Sequence, residues 1–277
     1  MRAAIDIGSN SIRLAMQDGT VRSVITKLAD GLQYTGMLSP DGVTRTIEVI
    51  SDFKAQAERA GADEIIAFAT EAVRRAKDGN KFCEAVHRKT AIEVKILSGE
   101  TEAALALAGV QKPNGAVTVC DLGGGSWEVI SSADGTKPDY IKSLPLGVIV
   151  LKNDYNGDYR KAIDEMPRRV AKFGEVQKRT VVLAGGSACA MAAGMLNLKV
   201  YDKAAVSTRF TTARLDDCMP IFLSPKLSVL RPVCARRADT LPYGAIIIQA
   251  LLNHLGATEF YVSDSSNLEA IMNGYKL

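Results

Sequence analysis

Short apolar runs at 2–6 and 12–16 flank the turn Gly8-Ser9-Asn10-Ser11, and 21–26 adds a third, which predicts a three-stranded meander. The period then changes. Ser39-Pro40-Asp41-Gly42 supplies a capping hydroxyl and a proline suited to the first helical position, and Val43, Ile47, Ile50 and Phe53 come after it at helical spacing, which predicts a helix to about Ala60 that Gly61 ends. Strand 64–69, helix 79–90, strand 93–97 and helix 100–110 complete an alternating β/α segment. After the turn formers Lys112-Pro113-Asn114-Gly115 the order repeats. It runs as hairpin 117–131, strand 140–143, helix 159–173, strand 180–184, helices 187–196 and 243–255, strand 261–262 and a terminal helix. Residues 198–235 receive no assignment. The expected organisation is two α/β lobes, 1–114 and 115–277.

The repeat is visible at the level of residues. Asp6, Gly8 and Ser11 recur as Asp121, Gly123 and Ser126 at a constant offset of 115, each set reading strand, Asp, glycine-containing turn, Ser, strand. A pair of such turns suits a phosphate chain held from both sides. In each, closely spaced backbone amides and short hydroxyls converge on an anion, and glycine lets the backbone approach where a side chain would intervene. Gly8, Ser9, Asn10 and Ser11, with Gly123, Gly124, Gly125 and Ser126, are therefore the candidate phosphate-binding residues. A single loop of this kind is more often an ordinary hairpin turn.

Composition narrows the class without choosing a ligand. The chain has 277 residues, 47% hydrophobic and 23% charged, with a formal net charge of +3, as expected of a soluble globular protein rather than a disordered or strongly basic one. Neither nucleic acid nor a membrane is implied as partner. The apolar stretch 241–255 is broken by Gln249 and Asn253, and no signal-peptide core precedes Asp6, so a cytoplasmic location is expected. The five cysteines are odd in number and widely spaced, as expected of reduced core thiols.

Asp6 and Asp121 end strands where the turns begin, and Glu128 lies on the returning strand on the face of Ser126, opposite to Trp127. These three acids are the candidate magnesium ligands, acting largely through water. Taken singly, the aspartates also read as turn residues and Glu128 as a solvated charge. Glu102 falls in the first turn of the helix after Ser98-Gly99-Glu100-Thr101, where an acid also complements the helix dipole or completes a cap with Gly99. Its place between the lobes makes it the candidate base that orients water toward a phosphate. Arg74 suits a bidentate phosphate clamp and equally suits a surface pair with Glu71 or Asp78. Ala184-Gly185-Gly186-Ser187 offers a further strand-to-helix turn, open either to an anion or to close packing. The basic run Lys161, Arg168, Arg169, Lys172, Lys178 and Arg179 reads first as a solvated face.

The order of motifs resembles the exopolyphosphatase and guanosine pentaphosphate phosphatase family, a branch of the actin-like ATPase superfamily. The blocks that carry it include Ala4-Ile5-Asp6-Ile7-Gly8-Ser9-Asn10-Ser11, Thr70-Glu71-Ala72-Val73-Arg74 and Ser98-Gly99-Glu100-Thr101-Glu102. Asp121-Leu122-Gly123-Gly124-Gly125-Ser126-Trp127-Glu128, Ser143-Leu144-Pro145-Leu146-Gly147, Arg237-Ala238-Asp239 and Val262-Ser263-Asp264 continue the series. The resemblance implies an α/β fold of two ribonuclease-H-like (actin-like) lobes with mixed sheets around a central cleft. It also implies Mg2+ dependence, with Mn2+ as the alternative, and release of terminal phosphate from inorganic polyphosphate or guanosine pentaphosphate. It places the catalytic base on Glu102, the metal-linked acids on Asp121 and Glu128 with Asp6 nearby, and a phosphate-binding arginine on Arg74. The chain departs from the pattern at Trp127, Val150, Glu71 and the turn Ser265-Ser266-Asn267. It also reads as a short form without the helical C-terminal domain of larger members. These departures keep a non-catalytic polyphosphate- or nucleotide-binding regulator in contention, with an actin-like sugar kinase behind it. Whether a homodimer forms is left open by the sequence.

Overall fold

The computed structural model describes residues 1–265 and 267–277 and divides into two compact units, Met1–Gly109 with Asn267–Leu277, and Val110–Ser266. In the first unit the strands are β1 (Arg2–Ile7), β2 (Ser11–Met16), β3 (Val21–Ile25), β4 (Glu64–Ala69) and β5 (Val94–Ile96). They form one mixed sheet in the order β3-β2-β1-β4-β5, with β1, β2 and β3 antiparallel and β4 and β5 parallel additions. The expected meander and the two β/α crossovers are all present. The helix Pro40–Arg59 starts as anticipated: Gly42 N–H donates to Ser39 Oγ at 3.2 Å. Its Ile50, Phe53 and Ala57 close one face of the sheet with Ile5, Ile7 and Leu14.

The other face is covered by the helix Gly99–Gly109 and the terminal helix Asn267–Met272, whose Leu268 and Ile271 pack with Ala4, Ala15, Phe68 and Leu105. This differs from the expected partition, which kept the whole C-terminus in the second lobe. The chain leaves the second unit after the strand Glu259–Ser263 and returns its last apolar residues to the first, a long-range contact that local periodicity does not encode.

In the second unit, β6 (Val117–Leu122), β7 (Trp127–Ser132), β8 (Tyr140–Leu144), β9 (Thr180–Ala184), β10 (Arg209–Thr211) and β11 (Glu259–Ser263) form a sheet in the order β10-β11-β9-β6-β7-β8. Taken from β8, this repeats the first unit's order with one extra antiparallel edge strand, β10. The nearly all-apolar helices Gly186–Met195 and Leu241–His254 are buried against it with Trp127, Leu151, Met166 and Phe222. The unassigned stretch 198–235 holds β10 and the helices Lys203–Val206, Thr212–Phe222 and Leu227–Leu230, then a 3-10 turn, Pro232–Arg237. Of the basic run, Arg179 is not a solvated charge: its guanidinium donates to Asp139 at 2.6 Å and to Ser131 Oγ at 3.0 Å, leaving its side chain 7% exposed. Among the described residues no helix is long and apolar enough to cross a membrane.

Candidate active site

The duplicated turns are built by the same hydrogen bond. Gly8 N–H donates to Ser11 O, and Gly123 N–H to Ser126 O, both at 3.1 Å. A Cβ on Gly8 would stand 2.9 Å from Ser11 O, so the closure requires glycine there. The carbonyls of the two turns are anchored by different partners, to the same effect. In the first unit Ser9 O accepts from Ala29 N–H at 2.9 Å, and Asn10 O from Thr26 and Lys27 N–H at 3.0 Å. In the second, the carbonyls of Gly123, Gly124 and Gly125 accept from Val148, Ile149 and Gly147 N–H at 3.2, 2.9 and 3.2 Å. A trans peptide directs its N–H opposite to its C=O, and no cis bond occurs among the described residues. With the carbonyls pinned to one side, the amides of Asn10 and Ser11, and of Gly124, Gly125 and Ser126, face the other. Each unit therefore presents a row of amides suited to phosphate oxygens.

The acids beside the turns are not equivalent. Asp6 and Arg13 are direct cross-strand partners, and Arg13 Nη2 donates to Asp6 Oδ2 at 2.5 Å. Asp6, expected as a metal-linked acid, is ion-paired within its own hairpin. At the matching positions of the second unit the partners are Asp121 and Glu128, and Ser143 on β8 continues the row. Ser143 Oγ donates to Glu128 Oε1 at 2.6 Å, fixing that carboxylate. Two carboxylates side by side supply hard oxygen donors, and Mg2+ commonly takes one or two carboxylates, completing its shell with water and substrate phosphate. Asp121 and Glu128 fit that demand. Among the described residues no group of three or more His, Cys, Asp or Glu side chains could hold a metal ion, so a cage made wholly of protein is not formed.

Arg74, at the end of β4 in the short helix Glu71–Arg75, takes neither of the pairs its neighbours suggest. Glu71 accepts from Arg75, and Asp78 accepts from Leu38 N–H. Arg74 Nη1 instead donates to Leu97 O at 2.7 Å and to Glu102 Oε2 at 3.0 Å. The candidate base and the candidate clamp thus lie together. The cap of the Glu102 helix is Ser98 rather than Gly99: Thr101 N–H donates to Ser98 Oγ at 3.1 Å, and Glu102 N–H to Ser98 O at 2.9 Å. With Ser98 as the cap, Thr101 rather than Glu102 takes the third helical position, the one that closes a capping box. In the same first turn, the Glu100 carboxyl is held below its ordinary range by its own backbone amide, then by the Ser98 hydroxyl and, more weakly, the charge of Arg74.

The third glycine turn is filled by packing. Gly185, at φ 92°, lies against Asp121 and Leu122, and a Cβ on Gly186 would fall 2.1 Å from the Arg237 guanidinium. Sequence reasoning missed both this placement of Arg237 and the contact of Ser143 with Glu128; each residue belongs to a recognised block, but strand register reveals the second contact and only the tertiary packing the first. Trp127 is fully buried and meets Phe173 edge to face at 5.4 Å, so this departure from the family pattern is a core residue pointing away from the turn. Val150 is half-buried in the helix Val148–Tyr155, whose first amides pin the loop. Of the altered turn Ser265-Ser266-Asn267, Ser266 lies outside the described residues.

These features agree with what the chain is similar to. The Ppx/GppA phosphatase family model matches residues 8–273, and the chain belongs to that family. Exopolyphosphatase 1 of Mycobacterium tuberculosis is 29% identical over 238 residues, spanning 80% of this chain and 66% of the relative. A bifunctional 3-dehydroquinate synthase/phosphatase of Fusobacterium nucleatum is 25% identical over 312 aligned positions, spanning 99% of this chain and 46% of the relative. The chain thus spans between about half and two thirds of these curated relatives. Among solved structures, the Ppx/GppA family member of Aquifex aeolicus superposes with a TM-score of 0.84 at 28% identity, covering 99% of both chains. The fold is accordingly the actin-like one, α/β with two mixed sheets.

Proposed function

We propose that this chain is a phosphohydrolase that releases terminal phosphate from inorganic polyphosphate by attack of water. The observation that carries the reading is the pair of turns whose carbonyls are pinned away and whose amides are left facing outward. Phosphoryl transfer asks mainly for positioning and for neutralisation of charge on the transferred group, which amides and a guanidinium supply. Glu102, held by Arg74, accepts the proton of the attacking water. Asp121 and Glu128 would hold Mg2+, with Mn2+ as the alternative, and the cation would supply charge neutralisation at the phosphate oxygens. Ser143 keeps the Glu128 carboxylate oriented.

Guanosine pentaphosphate is the second substrate reading, since the family includes phosphatases of both kinds and the two substrates share the terminal phosphoanhydride. Phosphate release from tripolyphosphate, long polyphosphate, guanosine pentaphosphate and ATP, measured side by side with Mg2+, separates the two. Glu102→Gln should lower turnover about 10²- to 10⁴-fold, the usual contribution of a positioned base. Wild-type turnover in that variant overturns the mechanism, and binding without any release by the wild-type chain identifies a regulator.

A further inference from the structure

Each sheet ends on the last strand of its meander, β3 in the first unit and β8 in the second, and the two edges are built differently. β8 runs between Pro138 and Pro145 and carries Lys142 at its centre, devices that keep a sheet edge from pairing with another chain. β3, Val21-Arg22-Ser23-Val24-Ile25, has neither proline nor lysine, and every residue in it is exposed, Val21 by 52% and Ile25 by 63%. The hydrogen-bond phase of the hairpin decides which backbone groups point away from it. Thr26 N–H donates to Asn10 O at 3.0 Å and Met16 N–H to Thr20 O at 2.9 Å, and bonded pairs alternate along an antiparallel ladder. Between those ends the register pairs Val24 with Ile12 and Arg22 with Leu14, so these are the residues of β3 that bond β2. Val21, Ser23 and Ile25 therefore turn their N–H and C=O groups outward, where the sheet has no further strand among the described residues.

We propose that β3 pairs with β3 of a second copy of this chain, antiparallel across a two-fold axis at Ser23. In that register Ser23 faces Ser23 and Val21 faces Ile25 of the second copy, so every outward N–H of both strands meets an outward C=O. The apolar side chains of Val21 and Ile25 are then direct cross-strand neighbours, and the Arg22 stem lies along Val24. Other registers of the same phase are poorer. Sliding by two residues one way sets Arg22 opposite Arg22. Sliding the other way sets Val21 opposite Lys27, which at φ 54° is no longer extended. The strand is thus complementary to itself in one register, which favours a second copy over an unrelated peptide. The proposal does not depend on the phosphohydrolase reading. With a strand of 5 residues on each side the interface is small, so the dimer is a weak one that dissociates on dilution.

Sedimentation velocity of the full chain should show monomer when dilute and dimer as the concentration approaches about 1 mM. Val21→Lys combined with Ile25→Lys should stay monomeric throughout, because each lysine meets a lysine across the axis. Val21→Lys combined with Ile25→Glu changes the same two exposed positions but sets opposite charges face to face. It should dimerise in low salt and dissociate as salt is added, which a misfolded chain or a parallel pairing would not show. Amide exchange reads the edge directly: Val21, Ser23 and Ile25 should exchange fast in dilute solution and slow on concentration, with Arg22 and Val24 protected throughout. A wild-type chain still monomeric at about 1 mM, a dimer of the double-lysine variant, or a lysine/glutamate variant monomeric in low salt each overturns the proposal. So does a wild-type dimer in which the three outward amides gain no protection, since it is then formed by another surface.

Discussion

Gly147→Ala isolates the link between the second glycine turn and the helix that holds it. Gly147 has φ −94° and ψ 170°, a conformation that alanine adopts freely, so no backbone strain accompanies the change. The obstacle is space: the new methyl would lie 2.2 Å from Gly124 O, 2.3 Å from Gly124 C and 2.5 Å from Gly125 N. All three are backbone atoms of the turn, so no side chain can rotate aside, and the turn must lift off the helix Val148–Tyr155. The hydrogen bonds from Gly147, Val148 and Ile149 to the turn carbonyls then lengthen or break. At about 0.5–1.5 kcal/mol net for each bond, losing all three costs about 1.5–4.5 kcal/mol; overpacking without their loss costs about 1–3 kcal/mol. Urea unfolding should register a loss in that range. KM for tripolyphosphate should rise as well, because the amides of Gly124, Gly125 and Ser126 are aimed only while their carbonyls are pinned. Wild-type stability with wild-type KM would refute both the packing argument and the assignment of the turn to phosphate.

Other perturbations separate core from site. Trp127→Thr restores the residue type usual in the family at a position that is fully buried here, and should cost about 3–5 kcal/mol of stability in urea unfolding. Its KM should match wild type wherever the variant is folded; a KM effect without a stability loss would move Trp127 from the core to the phosphate site. The buried thiols yield a pH prediction. Desolvation pushes Cys234 up to about 11 and Cys189 up to about 12, the latter aided by the charge of Asp264. An acid whose folded pKa exceeds its unfolded value, about 8.5 for a thiol, stabilises the fold fully below that value and loses the contribution as pH rises through the folded pKa. Melting temperature should therefore fall between about pH 8.5 and 12, and thiol reagents at pH 8 should find only Cys83 readily, with the other four released by denaturant.

Local signals in the sequence were sufficient wherever a residue's role depends on its own turn. Ser39 caps its helix, Gly61 terminates it at φ 85°, and both glycine turns close as their spacing implies. They were insufficient where the partner is distant along the chain. Arg74 could be offered Glu71 and Asp78 because those lie within a few residues, whereas its actual partners, Leu97 and Glu102, arrive through the crossover from β4 to β5. The same limit hid Arg237 against Gly186 and the return of Asn267–Met272 to the first unit. The stretch 198–235 was illegible for another reason: its elements are short, and Pro220 and Pro232 interrupt the helical period that would have announced them.

The duplication also explains why the two turns need not share one task. Equivalent rows cross the two sheets: Asp6, Arg13 and Ser23 in the first, Asp121, Glu128 and Ser143 in the second. A single difference at the middle position decides the electrostatics. Arg13 pairs with Asp6, so the amides of the first turn lie beside an ion pair. Glu128 instead sets a second carboxylate beside Asp121, the kind of donor pair a divalent cation takes. On the proposed phosphohydrolase reading, the second turn would receive phosphate together with its metal, and the first phosphate alone.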